Sequence, residues 1–352
     1  MSTIQKPLLF SGNSNIDLAR EIAQRMDTRL GSALVDKFKN EECRIEIKEN
    51  VRGAEVFVVQ SICRAPNGNS VNDSLMELLL MIDALSRASA YRITAVVPYY
   101  GYAKQDKKTK GREPISAKLV ANLLETARAR RLVTLDLHAA QIQGFFDLPV
   151  DNLVAAPTLC SYLKSQGLEG DRIVVVSPDA GGVPRAENFA KRLRSTLAIV
   201  FKRRPEPDVS EVTEIVGDVQ GKVAVVVDDM ISTGGTLAKA AEALIKRGAT
   251  EVYTCATHGI FAGDAVRVLT ESPVSRIIVT NTLPNVEADL GPKFKVLSIA
   301  QILADAIKRI TANRSVSELF AKDDEAQPPA VVTPSSLLEL PEVLAPASSA
   351  AS

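Results

Sequence analysis

Val223-Ala224-Val225-Val226-Val227-Asp228-Asp229-Met230-Ile231-Ser232-Thr233-Gly234-Gly235-Thr236 runs from unbroken apolar residues into two acids, two glycines and a series of hydroxyls. Val223 to Val227 is uncharged, mostly β-branched and without alternation, the pattern of a strand covered on both faces in a parallel sheet. The residues after it therefore leave the strand's carboxyl end as a loop. Gly234 and Gly235 let backbone amides approach an anion, and Thr233 and Thr236 add hydroxyl donors. A helix beginning near Leu237 aims its positive end at the same place. Paired carboxylates beside such a cradle suit ribose hydroxyls or a bridging Mg²⁺. A glycine-rich strand-to-helix turn would explain the glycines alone. Two consecutive aspartates ending a buried strand are costly unless something compensates them.

Outward from this stretch, short apolar runs alternate with helical patterns. The runs are Leu8 to Phe10, Val56 to Gln60, Ile93 to Val97, Leu132 to Leu135, Ile173 to Val176, Ala198 to Phe201, Val252 to Cys255 and Ile277 to Val279. That alternation reads as βαβ units of an α/β protein. Leu75, Leu78, Leu79, Ile82 and Leu85 share one helical face, with Asn72 or Asp73 as its cap. Asp147-Leu148-Pro149-Val150-Asp151-Asn152 interrupts the pattern and marks a boundary between two halves. Each half has its own loop after an early strand, Ser11-Gly12-Asn13-Ser14-Asn15 and Ser177-Pro178-Asp179-Ala180-Gly181-Gly182. Beyond Ala321 the composition turns to Ala, Pro and Ser, as in a disordered tail.

The 352 residues carry 42 basic and 42 acidic side chains, so no bulk charge calls for nucleic acid or an anionic membrane. Anion binding must then be local. The four cysteines lack metal or redox spacing, and the first residues lack a signal-peptide core, so a cytoplasmic location is expected. No apolar segment approaches the ~20 residues that span a bilayer.

Other segments carry chemistry. His138, in Thr134-Leu135-Asp136-Leu137-His138-Ala139-Ala140-Gln141, is one of only two histidines. It sits where a strand ends among polar residues, a place where imidazole binds a metal or a phosphate oxygen. His258 reads as structural. Asp179, Gly181 and Gly182 repeat the acid-and-glycine arrangement, open to a Mg²⁺-linked phosphate or to a tight turn capping the helix from Pro184. Phe201-Lys202-Arg203-Arg204-Pro205-Glu206-Pro207-Asp208 places three cations on a loop able to close over a polyphosphate. A solvated loop reads the same way. Tyr99 to Lys108 pairs aromatic rings with cations, which suits a nucleotide or an oligomer contact. No GxxxxGK[ST] motif is present, so any ATP is held in another way.

In their order and content, Asn72 to Leu79, Tyr99 to Asp106, Asp136 to Asp147, Ser177 to Gly182, Lys202 to Arg204 and Asp228 to Thr236 resemble the ribose-phosphate pyrophosphokinase family. The resemblance runs from about Leu8 to Phe320. It implies transfer of the β,γ-diphosphoryl group of ATP to the C1 hydroxyl of ribose 5-phosphate, with release of AMP. The implied fold is two similar phosphoribosyltransferase-type α/β domains, each a mainly parallel sheet flanked by helices. Residues 1–150 would form the ATP side with oligomer contacts, 151–320 would carry the ribose 5-phosphate loop, and 321–352 would be the tail. The last helix would pack on the first domain.

By the same resemblance, Asp228, Asp229, Ser232, Thr233, Gly234, Gly235 and Thr236 hold ribose 5-phosphate. Asp179, Gly181 and Gly182 face the diphosphate, and His138 and Asp179 hold Mg²⁺. Lys202 and Arg204 are the catalytic cations. Lys104, Gln105, Asp106 and His138 lie on the ATP side, and Phe38, Asn40 and Glu42 belong to an adenine-binding segment lent by a neighbouring subunit. Homo-oligomers, commonly hexamers assembled from dimers, follow. The sequence departs from the family at Ser232, where a third aspartate is common, and at Lys104, where arginine is usual. The 64–71 segment looks long, and Phe201 replaces a frequent acid. A phosphoribosyltransferase shares the Asp228 to Thr236 loop, and a non-catalytic regulatory paralogue would share Ser232; both stand as alternatives.

Overall fold

The computed structural model describes residues 6–203 and 212–321; the expected tail from 322 onward and Arg204 lie outside the described residues. Two separate sheets organise the chain. The first contains β1 (Leu8–Ser11), β4 (Glu55–Val59), β5 (Arg92–Val97), β6 (Arg131–Leu135) and β7 (Val150–Leu153), all parallel and in that spatial order. Between β1 and β4 the chain makes an antiparallel hairpin, β2 (Ala33–Lys37) and β3 (Cys43–Ile47).

The second sheet contains β8 (Ile173–Ser177), β9 (Thr196–Arg203), β10 (Val212–Val216), β11 (Val223–Ile231), β12 (Glu251–Gly259), β13 (Arg276–Thr280) and β14 (Phe294–Leu297). Its order is β10-β9-β8-β11-β12-β13-β14, parallel except for the β9–β10 pair. From β8 the chain moves outward to β9 and β10, then returns to the other side of β8 to lay down β11 and β12. The order therefore reverses between β8 and β11, where an open α/β sheet forms a crevice at its carboxyl end.

Side-chain alternation explains the layers. Phe57 and Val59 of β4 face one way and Val56 and Val58 the other; Val225 and Val227 of β11 oppose Ala224 and Val226. Every face is apolar, so each sheet must be covered twice. A central core receives one face of both sheets together with the helices Ile16–Arg25, Ala156–Ser165, Val183–Leu193 and Ala300–Thr311. Helices Val71–Arg87 and Ser116–Thr126 cover the outer face of the first sheet, and Gly235–Lys246 and Ala265–Glu271 that of the second. The helix Ala300–Thr311 packs on Ile16–Arg25, with Gln301 Oε1 accepting from Arg25 Nη1 at 2.8 Å and Lys308 Nζ donating to Arg25 O at 2.8 Å.

Several expectations are corrected. The boundary at residue 150 falls inside the first sheet, because Val150 to Leu153 pairs with Leu132 to Leu135 as an edge strand. An edge accepts the polar pair that interrupted the pattern: Asp151 bonds Arg131 at 2.5 Å, and Asn152 Oδ1 accepts from Leu137 N at 3.1 Å. The helix at 71 is capped by Ser70, which accepts from Asp73 N at 3.2 Å while Asp73 accepts from Ser70 N at 2.7 Å, a capping box. The strand before the three-cation segment continues through Arg203, beyond Phe201, since β10 returns beside it.

The central helices bind both halves, so truncation there should be felt globally. Leu303→Ala, at a fully buried position, is expected to cost about 2–5 kcal/mol of unfolding free energy. Urea denaturation checks this; a loss under about 1 kcal/mol would show that the shared layer is not a tightly packed core.

Candidate active site

Asp228 and Asp229 belong to β11 itself, which runs to Ile231 instead of stopping at Val227. The reason lies on one side only. Pairing with β12 continues through Asp228↔Ala256 and Met230↔His258, whereas pairing with β8 ends at Val226↔Val176. The two acids thus occupy a projecting strand end with β8's side open, at the crevice where strand order reverses.

Asp229 is buried, at 3% exposure, and its charge is met from two directions. His138 Nδ1, from the turn after β6, lies 2.7 Å from Asp229 Oδ2. Arg185 Nη2 is 3.6 Å from Asp229 Oδ1, and Arg185 Nη1 is 3.3 Å from Asp228 Oδ1. Burial works to raise the Asp229 carboxyl, but the bonds from His138 and Asp228 with the Arg185 charge hold it below the usual range. Burial beside Asp229 pushes Asp228 up to about 7. His138 is raised by its hydrogen bond to Asp229. One carboxylate is therefore firmly ionised, and its neighbour is poised near neutrality.

These groups face a cleft of about 790 Å³, within the range for small ligands. Lys104, Asp106, His138, Asp179, Gly181, Gly182, Asp228, Asp229, Ser232, Thr233, Gly234 and Thr236 all line it. Asp106 accepts a 2.6 Å bond from Gln141 Nε2. The helix Gly235–Lys246 begins two residues earlier than Leu237. Its first-turn amides receive no side-chain cap, so they remain available to an anion. Gly234 adopts φ +75°, and a Cβ there would lie 2.9 Å from Leu269. Both facts require glycine.

The Asp179 loop is a tight turn that also lines the cleft. Asp179 Oδ1 accepts from Gly182 N at 2.9 Å, closing a tight turn before the helix Val183–Leu193, and the turn still lines the cleft. A Cβ on Gly182 would meet Ser177 Oγ at 2.8 Å. Lys202 lies on β9, which pairs with β8 through Ser177↔Ile199, so its backbone is about 10 Å beyond that pair, at the same sheet end as Asp179.

Gln105, Gly235, Phe38, Asn40 and Glu42 are not among the lining residues. Gln105 accepts from Ser116 Oγ. Phe38, Asn40 and Glu42 form the β2–β3 turn, where Phe38 is 50% exposed and its N–H donates to Glu42 O at 2.8 Å. Lys107, a cation of the Tyr99 to Lys108 segment, lines the cleft, and so does Arg185, which was not singled out in the sequence. Arg185 carried a signal: a cation in the first turn of a helix opposes the helix dipole and asks for an anionic partner. Among the described residues, no three His, Cys, Asp or Glu side chains gather as a closed metal cage. No helix among them is long and apolar enough to cross a membrane.

Residues 7–127 match the family model for the N-terminal domain of ribose phosphate pyrophosphokinase, and residues 205–321 match the phosphoribosyl synthetase-associated domain. The ribose-phosphate pyrophosphokinase of Fusobacterium nucleatum is 51% identical over 312 residues, covering 89% of this chain and 97% of that protein. That of Caldanaerobacter subterraneus is 53% identical over 312 residues, with the same coverage. The crystal structure of phosphoribosylpyrophosphate synthetase from Mycobacterium smegmatis superposes with a TM-score of 0.81 at 45% identity, covering 88% of this chain and 100% of that one.

The raised Asp228 carboxyl has a signed consequence. Its folded value lies above its unfolded value of 3.8, so its contribution to stability is full below pH 3.8 and is lost as pH rises through about 7. Asp228→Asn removes that loss. Thermal unfolding in EDTA without nucleotide should find the variant more stable than the parent at pH 8, with the difference vanishing below pH 4. A gain independent of pH would show that the carboxyl is not raised.

Proposed function

The chain belongs to the ribose-phosphate pyrophosphokinase family, and from that premise we propose how its cleft divides the work of the reaction. The enzyme transfers the β,γ-diphosphoryl group of ATP to the C1 hydroxyl of ribose 5-phosphate, releasing AMP. One observation carries the residue assignment: acids of β11, the Asp179 turn and the His138 turn share a single cleft, locked by the 2.7 Å His138–Asp229 contact.

In this reading Asp228 and Asp229 accept hydrogen bonds from the ribose hydroxyls, and Ser232 shares the pocket. Thr233, Gly234, Gly235 and Thr236, at an uncapped helix N-terminus, take the 5-phosphate. Gly181 and Gly182 offer close backbone approach to the diphosphate beside Asp179. Lys104, Gln105, Asp106 and His138 mark the ATP side. Residues through β7, to Leu153, would thus form the ATP half and the rest, to 320, the sugar half.

The donor set fits Mg²⁺. That ion usually takes one or two carboxylates and completes its shell with phosphate oxygens and water, so the open cleft bearing the Asp179 carboxylate, with His138 on its wall, suits it. When bound, it neutralises phosphate charge and so reduces the repulsion between two anionic substrates. Lys202 and Arg204 then meet the charge that develops on departing AMP. The ionised Asp229 fixes the sugar's orientation for in-line attack by its C1 oxygen on the β-phosphorus. Arg185 keeps the paired acids from repelling each other before the sugar arrives.

Phe38, Asn40 and Glu42 stand on an exposed hairpin away from the chain's own cleft, which supports a role for them on a neighbouring subunit's ATP. A homo-oligomer is proposed on that ground, and its form as hexamers assembled from dimers rests on the family resemblance. The four cysteines form no disulfide, in keeping with the proposed cytoplasmic location.

Purified protein given ATP, Mg²⁺ and ribose 5-phosphate should release AMP in step with the activated sugar. ADP as the nucleotide product would overturn the reading. Lys202→Ala should lower turnover about 10²–10³-fold, while ribose 5-phosphate binding by calorimetry survives. Full turnover in that variant would remove Lys202 from the mechanism.

A further inference from the structure

His138 reaches Asp229 from the other half of the molecule, so something must fix the turn that carries it. Asp136, two residues earlier, directly follows β6 and has φ +37°, a left-handed backbone that a residue with a Cβ keeps only when its surroundings impose it. Its N–H donates to Leu153 O at 2.9 Å, and its Oδ2 accepts from Ala155 N at 2.9 Å. The remaining partners come from β12. Thr257 Oγ1 donates to Asp136 Oδ2 at 2.6 Å, and His258 Nε2 lies 3.2 Å from Leu135 O and 3.3 Å from Asp136 O.

Carbonyl oxygens only accept, so His258 carries its proton on Nε2. Its Nδ1 lies 3.0 Å from Thr282 Oγ1. Thr282 is anchored in turn, since its carbonyl accepts from Ser61 Oγ at 2.6 Å and Asn15 Nδ2 at 3.2 Å. His258 is 2% exposed and packs edge-on against Tyr99, with ring centroids 5.1 Å apart. Its strand neighbour in β11 is Met230, the residue after Asp229. One strand end of the second sheet thus grips the β6 turn at Asp136 while the adjacent one receives His138.

We propose that Thr257 and His258 are positioning residues for the transfer reaction: by holding Asp136 in its left-handed conformation across the junction, they set where His138 stands relative to Asp229. They touch neither substrate. The proposal rests on the reading of His138 as an ATP-side residue. The 5-phosphate cradle at residues 233–236 and the helix after it lie outside this grip, so the device acts where His138 meets Asp229.

The test uses the full chain and steady-state kinetics with each substrate varied, alongside thermal unfolding. Thr257→Val keeps the side-chain shape and deletes the donor to Asp136, and Thr257→Ser restores the hydroxyl. Thr257→Val is expected to lower kcat at least tenfold with the KM for ribose 5-phosphate changed less than twofold, and Thr257→Ser to return to within threefold of the parent. Should Thr257→Val not fold, the histidine pair decides. His258→Gln places an amide donor near the Nε2 position and should keep kcat within about fivefold, whereas His258→Asn cannot reach and should lose at least tenfold. Unchanged kcat in Thr257→Val, or equal losses in the Ser and Val variants or in the Gln and Asn variants, overturns the proposal. His138→Ala separates the two ideas: if it also turns over normally, the assignment of His138 fails, and if it alone is impaired, only the positioning role does.

Discussion

Two neighbouring carboxylates at the end of a buried strand are the constraint to which the rest of the molecule answers. β11 is apolar on both faces up to Val227, so Asp228 and Asp229 emerge from low-dielectric surroundings with little water to stabilise them. The protein compensates with a guanidinium from its own half and an imidazole from the other half. Because the imidazole comes from across the junction, the cost of burying charge is offset in full only when the halves are docked. Stability of the junction and integrity of the cleft are therefore one requirement.

Much of this was legible in the chain. Continuous apolar runs announced the buried parallel strands, since a strand covered on both sides leaves no alternation to confuse with a helix. The acids, glycines and His138 were legible because their types are expensive where the pattern placed them. The elements that escaped were those with half-buried or edge character. The β2–β3 hairpin alternates polar and apolar residues over five-residue strands, β10 and β14 lie at sheet edges, and β7 carries Asp151 and Asn152. Arg185 escaped for another reason: its partners lie 43 and 44 residues away, and nothing local shows which acid a helical arginine will meet. His258 read as structural, and it is buried; its contacts with Leu135 and Asp136 span more than 120 residues.

The loops after β1 and β8 looked alike in sequence but differ in what fills them. In the first half, Asn13 N donates to Glu77 Oε1 at 2.6 Å and Ser14 N to Gln60 Oε1 at 3.0 Å. Those amides are already satisfied by side chains of the protein, and a Cβ on Gly12 would collide with Gln60. Glu77 is 2% exposed and sits where an anion would sit. In the second half, Gly181 and Gly182 border open volume. Two glycine-bearing loops at corresponding places thus differ, one closed on a carboxylate of the protein's own and one open to a ligand.

Topology explains why the roles fall this way. The first sheet is laid down in one direction from β1 to β7, so its strand ends offer no crevice of their own. The second reverses between β8 and β11, and the gap left at that point exposes amides and acids together. A sheet without a reversal can still contribute a wall, and β6 does so by sending Asp136 and His138 over the gap. The cleft is accordingly asymmetric, with an anion cradle built by the second half and a lid of charge and shape supplied by the first. Such a cleft can treat a sugar phosphate and a nucleotide differently even though both present phosphate oxygens, because only one of its walls is an open cradle.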